Sequence, residues 1–113
     1  MNDFPDFMKN PQNRVPSTQQ NTQDIEGYFY EGLGGDQMAF WTCHSDKVSE
    51  KHAHDFDEYM LCVCGQYTVY MNNQEFALNP GDELFIAEGT ENWGKCIAGT
   101  RTIHAFGGKR VKR

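Results

Sequence analysis

Short apolar segments rich in aromatic and β-branched residues recur along the chain from position 25 onward. Gly, Asn, Pro or Asp residues separate each segment from the next, at a spacing of roughly ten residues. This pattern is typical of β-strands joined by tight turns, and no segment shows an amphipathic helical period of useful length. It predicts an all-β fold, as a small barrel or sandwich. The predicted strands are residues 25–30, 38–44, 59–63, 67–71, 75–78, 84–87, 93–97 and 101–106.

The composition changes at both ends of this β-rich region. Residues 1–24 are rich in Asn, Gln, Pro and Ser, so they predict a flexible N-terminal arm with too little apolar surface to become ordered. Residues 25–108 form the predicted barrel domain, and 109–113 are a basic C-terminal tail that we expect to be solvated. Within the barrel, Asn72-Asn73 predicts a hairpin turn because Asn tolerates a positive φ angle.

Charge and hydropathy limit the partners of the protein. The formal net charge is −6, and the part of the chain before the tail has six basic against sixteen acidic residues. Such an acidic body argues against nucleic acid as a partner. No apolar run approaches the ~18–20 residues needed to span a bilayer. The N-terminal residues lack the features of a secretion signal, so we expect a cytoplasmic protein.

The four cysteines are spread over the chain and do not form the paired motifs of zinc or redox sites. In a reducing compartment we expect them to be small core residues with free thiols. Cys62 has a second interpretation, because it shares strand parity with Glu58 and its thiol could face a metal bound there. The four are Cys43, Cys62, Cys64 and Cys96.

Two histidines and a glutamate form the most specific chemical cluster in the sequence. His52 and His54 are two residues apart, so on a strand both side chains point to the same face. Glu58 returns to that face if the chain turns at residues 55–57. Two imidazole nitrogens and one carboxylate oxygen are a suitable ligand set for a divalent transition metal. The cluster therefore predicts a metal site.

Two motifs in this sequence resemble those of the cupin superfamily. The first runs from His52 through His54 and Glu58 to Gly65, with one, three and six residues between them. The second spans residues 79–92 and contains a Pro-Gly-Asp turn, an apolar strand and a Gly-Thr corner. The combination is far more specific than a lone His-x-His pair.

The resemblance covers residues 38–106 and implies a small single-domain cupin, an all-β jelly-roll barrel. It also implies one divalent transition metal ion (Fe, Mn, Zn or Ni) in the barrel mouth, a small-molecule ligand or substrate, and a homodimer. It does not imply one reaction, because this fold supports many activities.

The sequence departs from the cupin pattern at three positions. Asp46 replaces an expected Gly and Ala87 replaces an expected Pro, and a barrel can accommodate both changes. Asn92 occupies the position of the second motif's metal-binding histidine. Because an amide oxygen is a poorer ligand than an imidazole nitrogen, Asn92 is a weak candidate for the fourth ligand.

His104 is the alternative fourth ligand and the candidate catalytic residue. Residues 92–106 resemble a hairpin that turns at residues 98–100. A three-residue loop places His104 on the same face as Asn92, pointing into the barrel, whereas a two-residue loop turns it outward. The sequence leaves both registers open. If His104 points inward, it is a natural acid–base group, since its ordinary pKa lies near neutrality.

Two functions are consistent with these residues. The first is a metal-dependent enzyme of dioxygenase or isomerase type, in which two histidines and one carboxylate leave open positions on the metal. The second is a non-catalytic cupin that holds a small ligand as a sensor or carrier. The absence of a histidine at position 92 favours the second, because a weak metal site is tolerable without turnover.

Overall fold

A computed structural model describes residues 1–20 and 24–112. In these residues nine β-strands form two antiparallel sheets, with the orders β1-β2-β9-β4-β7 and β3-β8-β5-β6. Three short 3-10 helices precede them, at Asp6–Met8, Pro11–Asn13 and Ser17–Gln19. None of the described helices has the length and apolar character needed to cross a bilayer. The strands are β1 Ile25–Glu31, β2 Gln37–Cys43, β3 Lys47–Val48, β4 Glu58–Cys64, β5 Tyr67–Met71, β6 Gln74–Leu78, β7 Glu83–Ile86, β8 Asn92–Cys96 and β9 Arg101–Phe106.

The alternation of side chains along the strands places the core between the two sheets. On β4, Met60 and Cys62 point inward and pack against Val69 of β5 and Leu78 of β6. Burial of each such side chain contributes roughly 1.5–3 kcal/mol to the stability of the fold. This apolar layer therefore holds the two sheets together. All eight predicted strands are present. The ninth strand, β3, was not predicted, because two residues are too few to show the alternation of apolar and polar side chains that marks a strand.

The predicted hairpin at Asn72-Asn73 is confirmed. The two residues have φ angles of 54° and 60°, and Met71 pairs with Gln74 across the turn. Positive φ at both central positions gives the turn the twist that antiparallel strands need.

The predicted hairpin over residues 92–106 is wrong. β8 pairs with β3 and β5 in one sheet, whereas β9 pairs with β2 and β4 in the other, so the intervening turn crosses between sheets. The turn bonds instead to the end of β2. There the amide of Cys43 donates to the carbonyl of Thr100, and the carbonyl of Cys43 accepts from the amide of Gly99, both at 2.8 Å. His104 nevertheless points inward, because it lies between the inward-facing Thr102 and Phe106 of β9.

The expectation that the N-terminal arm cannot bury apolar surface is also wrong for its described part. Phe4 is 7% exposed and packs with Tyr28 and Phe40 on the outer face of the five-stranded sheet. Val15 is 1% exposed and lies in the core beside Phe29. A few well-placed apolar side chains are therefore enough to fix an otherwise polar segment. Residues 21–23 of the predicted arm lie outside the described residues.

The C-terminal tail is packed at residues 110 and 111, whereas Lys109 and Lys112 are exposed as expected. Val111 is 2% exposed, and its backbone amide and carbonyl both bond to the side-chain amide of Gln37, at 2.9 and 2.8 Å. Sequence composition missed this contact because the partner lies 74 residues away. Residue 113 lies outside the described residues.

The expectation of four free thiols is wrong for two of them. Cys43 at the end of β2 and Cys96 at the end of β8 form a disulfide that links the two sheets. Cys62 and Cys64 are free. Disulfides are typical of oxidising compartments, and the spacing of 53 residues gave no local signal of this pairing.

We expect Phe4→Ala to lower the free energy of unfolding by about 3 kcal/mol, because it removes a buried ring that lies 4.8 Å from that of Phe40. Phe7→Ala is the matched control, since Phe7 belongs to the same segment and is 83% exposed. Urea denaturation of the two variants measures the difference. Equal stability of both variants would show that the arm does not pack on the sheet.

Replacing both bonded cysteines by serine (C43S/C96S) should lower the free energy of unfolding by about 2–4 kcal/mol, since the unfolded chain loses a cross-link. The wild type in a reducing agent should match this variant, and Cys64→Ser serves as the control. If reduction leaves the denaturation midpoint of the wild type unchanged, the disulfide does not contribute to stability.

Candidate functional site

A cavity of about 90 Å³ opens between the two sheets at one end of the barrel. Its wall combines polar side chains with aromatic and apolar ones, the composition expected of a small-molecule site. The structure brings the predicted residues His52, His54, Glu58, Asn92 and His104 together in this wall. The other lining residues used below are Gln20, Trp41, Lys47, Tyr67, Lys95, Thr102 and Arg110.

Glu58 is the buried charged group at the centre of the site. It is the first residue of β4, and its side chain is 6% exposed. His104 Nδ1 lies 2.7 Å from Oε2, and His54 Nε2 lies 3.8 Å from Oε1. Burial would raise the pKa of Glu58, but the hydrogen bond from His104 and the electrostatic effect of the histidines lower it below its ordinary value. Glu58 is therefore an ionised carboxylate near neutral pH.

The hydrogen bonds of His104 use both of its ring nitrogens. Because an ionised carboxylate can only accept, Nδ1 carries the proton that is donated to Glu58. Nε2 lies 2.9 Å from the hydroxyl of Thr102, which can donate or accept. Both ring nitrogens of His104 are therefore hydrogen-bonded, and Nδ1 holds Glu58 in place.

Two aromatic rings flank His104, and two glycines make room for them. The ring centroids of Trp41 and Tyr67 lie 6.1 and 6.3 Å from that of His104. A Cβ atom on Gly27 would lie 2.0 Å from the Trp41 ring, and one on Gly94 would lie 2.4 Å from the Tyr67 ring. The close approach of each ring to a strand therefore requires glycine.

The first-motif histidines occupy the loop before β4. His52 pairs with Asn92 through two backbone hydrogen bonds of 2.9 Å, and its Nδ1 lies 2.9 Å from the carbonyl of Glu50. His54 stacks on the ring of Phe56, with centroids 4.8 Å apart. Burial lowers the pKa of His54, against an opposing effect of Glu58. The ring centroids of the two histidines are 5.0 Å apart.

The side chain of Asn92 is used to hold the backbone. Its amide nitrogen donates to the carbonyl of Thr90 at 3.1 Å and to that of His52 at 3.5 Å. These bonds fix the loop that enters β8, so Asn92 stabilises the wall of the cavity.

The candidate residue Cys62 and the remaining histidine, His44, lie away from the cavity. Cys62 is fully buried in the core, and its thiol lies 3.6 Å from the carbonyl of Cys64. Burial raises the pKa of this thiol. His44 is exposed and its Nε2 lies 2.8 Å from a carboxylate oxygen of Glu26.

No family model matches this sequence, and no curated protein matches it. Solved structures do. KdgF from Halomonas sp. has a TM-score of 0.67 at 16% identity, over 81% of this chain and 89% of that one. An RmlC-like cupin from Shewanella frigidimarina has a TM-score of 0.67 at 15% identity, over 83% and 92%. A cupin-2 domain from Rhodospirillum rubrum has a TM-score of 0.70 at 12% identity, over 88% and 70%.

The chain has the cupin fold. The predicted all-β jelly-roll barrel and the resemblance to small single-domain cupins are thereby confirmed. Identities of this size support the fold alone and do not indicate which chemistry the cavity supports.

The donor atoms of the cavity are suited to a metal ion, although they are not gathered around one point. With Nδ1 of His52 bonded to a backbone carbonyl, its Nε2 is left as an acceptor, as in many metal-binding histidines. With Oε2 of Glu58 bonded to His104, its Oε1 is left facing His54. In the described part of the chain, no group of three or more His, Cys, Asp or Glu side chains has the arrangement that holds a metal ion. The residue types fit, and their convergence would require movement of the side chains.

Sequence reasoning missed several residues of the cavity. Trp41 and Tyr67 gave only a general aromatic signal, and Thr102 gave none. Arg110 was assigned to the tail, yet it lines the cavity with its guanidinium over the Trp41 ring. Its contribution depends on contacts made by residues far apart in sequence, which no local pattern reveals.

We expect the Glu58–His104 bond to make stability depend on pH. Because the folded pKa of Glu58 lies below its ordinary value of 4.5, its contribution is complete above that value and is lost as the pH falls through the folded pKa. Glu58→Gln should therefore lower the free energy of unfolding by about 1–3 kcal/mol at pH 7, and this loss should shrink as the pH falls below 4.5. Urea denaturation across this range measures the effect.

Glu88→Gln is the control for this measurement, since the side chain of Glu88 is exposed. If the wild type and Glu58→Gln differ in free energy of unfolding by the same amount at every pH, the assignment of an ionised Glu58 is contradicted.

Proposed function

We propose that this protein binds a small molecule in the barrel cavity, together with one divalent metal ion held by His52, His54 and Glu58. The observation that carries the proposal is the pattern of hydrogen bonds around these side chains. His52 uses Nδ1 to bond the Glu50 carbonyl, which leaves its Nε2 as an acceptor. Glu58 uses Oε2 to accept from His104, which leaves its Oε1 as an acceptor. A bound metal would supply Lewis-acid or redox chemistry toward the small molecule.

The remaining cavity residues have supporting roles in this proposal. His104, predicted as a catalytic residue or fourth ligand, acts here as a positioning residue because both of its ring nitrogens are bonded. The Glu58 carboxylate holds the proton on its Nδ1, Thr102 bonds its Nε2, and the rings of Trp41 and Tyr67 flank it. With Asn92 bonded to the backbone, His52, His54 and Glu58 leave positions on the metal open for a ligand or O₂. Activity of dioxygenase or isomerase type is the enzymatic form of this proposal.

A non-catalytic cupin that senses or carries a small ligand is the second candidate. It is favoured by the same bonds of His104, because both ring nitrogens are directed at Glu58 and Thr102 and neither is directed at the open cavity. Burial also raises the pKa of Tyr67, so its hydroxyl stays protonated and acts as a donor near neutral pH.

The oligomeric state and the location of the protein stay predictions. A homodimer would cover apolar side chains on the outside of the five-stranded sheet, among which Met38 is 53% and Phe85 is 59% exposed. A cytoplasmic location must be weighed against the disulfide between Cys43 and Cys96, since the cytoplasm reduces most such bonds.

Metal analysis of protein purified without a metal-chelating tag tests the proposal. We expect one metal ion per chain after reconstitution with Fe(II), Mn(II), Zn(II) or Ni(II). His54→Ala and Glu58→Gln should abolish stoichiometric binding, because each removes a ligand. His104→Gln should weaken binding by about 10–100-fold, the effect of losing a residue that orients a ligand.

His44→Ala is the matched control, since it removes a histidine that lies outside the cavity. Circular dichroism of each variant confirms that it is folded. Wild-type protein that binds none of the four metals, or variants that bind as well as His44→Ala, would contradict the metal site.

A further inference from the structure

A basic side chain reaches the cavity from the C-terminal end of the chain. The guanidinium of Arg110 is half-buried in the cavity wall, and its Cζ lies 5.6 Å from the centroid of the Trp41 ring. Its Nη1 donates to the carbonyl of Gln19 at 2.6 Å. Within residues 1–20 and 24–112, no Asp or Glu forms an ion pair with it. Burial lowers the pKa of Arg110 and the nearby Glu58 carboxylate raises it, so the guanidinium has a counter-charge in the cavity wall but none in direct contact among the described residues. An anion bound in direct contact would stabilise such a half-buried guanidinium.

Two glutamine side chains fix the backbone that carries Arg110. The amide of Gln37, 2% exposed, bonds to both the N–H and the C=O of Val111. The amide of Gln19 bonds in the same reciprocal way to Lys112, at 2.6 and 2.7 Å. These four hydrogen bonds hold the two residues after Arg110, so the direction of its side chain toward the cavity is built into the fold.

The two lysines of the cavity wall are less suited than Arg110 to meet a ligand inside the cavity, because one is paired with a carboxylate and the other is exposed to solvent. The ammonium of Lys47 lies 3.1 Å from the carboxylate of Asp24. The ammonium of Lys95 lies over the ring of Tyr70, 5.6 Å from its centroid, and Lys95 is exposed. Arg110 is thus the cation best placed to meet a ligand inside the cavity.

Two polar groups in the same wall also lack partners. The hydroxyl of Tyr67 forms no hydrogen bond with any described residue, while its ring is fixed against Gly94. The buried amide oxygen of Gln20 has no partner among the described residues either. The hydroxyl is a donor that can join the guanidinium on one anion, and the amide oxygen can accept from a ligand hydroxyl.

We propose that Arg110 and Tyr67 form a carboxylate-binding subsite, so that the small molecule bound by this protein carries a carboxylate group. The planar fork of a guanidinium matches the two oxygens of a carboxylate, and the small cavity suits a compact acid. The proposal names the ligand class of the site described above and rests on the proposed function only in that the cavity takes a small molecule. It does not require the metal.

NMR titration of metal-free, EDTA-treated protein at constant ionic strength tests this subsite. The probes are acetate, pyruvate and succinate, with acetamide as the uncharged analogue of acetate and inorganic phosphate as the competing anion. We expect saturable shifts of the Trp41 indole signal with at least one carboxylate and none with acetamide. Removal of the metal separates this result from the metal proposal, because acetate cannot then bind as a metal ligand.

Arg110→Gln should weaken carboxylate binding by about tenfold or more, the effect of losing a charge-assisted pair. Arg110→Lys should restore only part of it, and Tyr67→Phe should weaken it severalfold. Lys109→Gln is the matched control, since it removes the same charge from the neighbouring residue, whose ammonium is 3.8 Å from Glu31 outside the cavity.

Three outcomes would overturn the proposal. The first is the absence of saturable binding for all three carboxylates in protein that is folded. The second is equal weakening by Lys109→Gln and Arg110→Gln, which would indicate bulk charge. The third is tighter binding of phosphate than of any carboxylate with the same dependence on Arg110. Metal binding without carboxylate binding would overturn this inference alone.

Discussion

The hydrogen bond between Glu58 and His104 is the constraint on which the site depends. A carboxylate on a side chain that is 6% exposed would be strongly destabilising without a partner, and β4 and β9 must pair in one register for His104 to reach it. That register places Glu58 opposite Phe106 and Met60 opposite His104, on the inward face of the five-stranded sheet. The same bond leaves Oε1 of Glu58 facing His54, so one interaction connects sheet pairing with the chemistry of the cavity.

The N-terminal and C-terminal segments pack on the barrel and contribute to its outer face and its cavity. The N-terminal segment covers the outer face of the five-stranded sheet with Phe4, and the side-chain amides of Gln19 and Gln37 bind the backbone of the C-terminal segment. Segments that composition marks as solvated therefore pack against the barrel and bring Arg110 to the cavity. The cavity combines a carboxylate near two histidines with a guanidinium that forms no direct ion pair among the described residues, an arrangement suited to a small acidic molecule near a metal ion.

The sequence predicted what depends on local pattern and failed where distant partners decide. Alternation located eight strands, and the spacing of His52, His54 and Glu58 located the cavity, because period and spacing are local properties. The hairpin predicted for residues 92–106 failed because a period does not reveal which strand is the partner, and β8 and β9 lie in different sheets. The disulfide of Cys43 and the packing of Val111 depend on contacts separated by 53 and 74 residues. No signal in one sequence reports such pairs.

The most direct test of this account is anomalous diffraction from crystals soaked with Mn(II) or Zn(II). The account predicts one metal ion in the cavity bound by Nε2 of His52, Nε2 of His54 and Oε1 of Glu58. The bond between Oε2 of Glu58 and His104 should remain in place. A cavity without an anomalous peak, or a metal bound by His104 in place of Glu58, would contradict it.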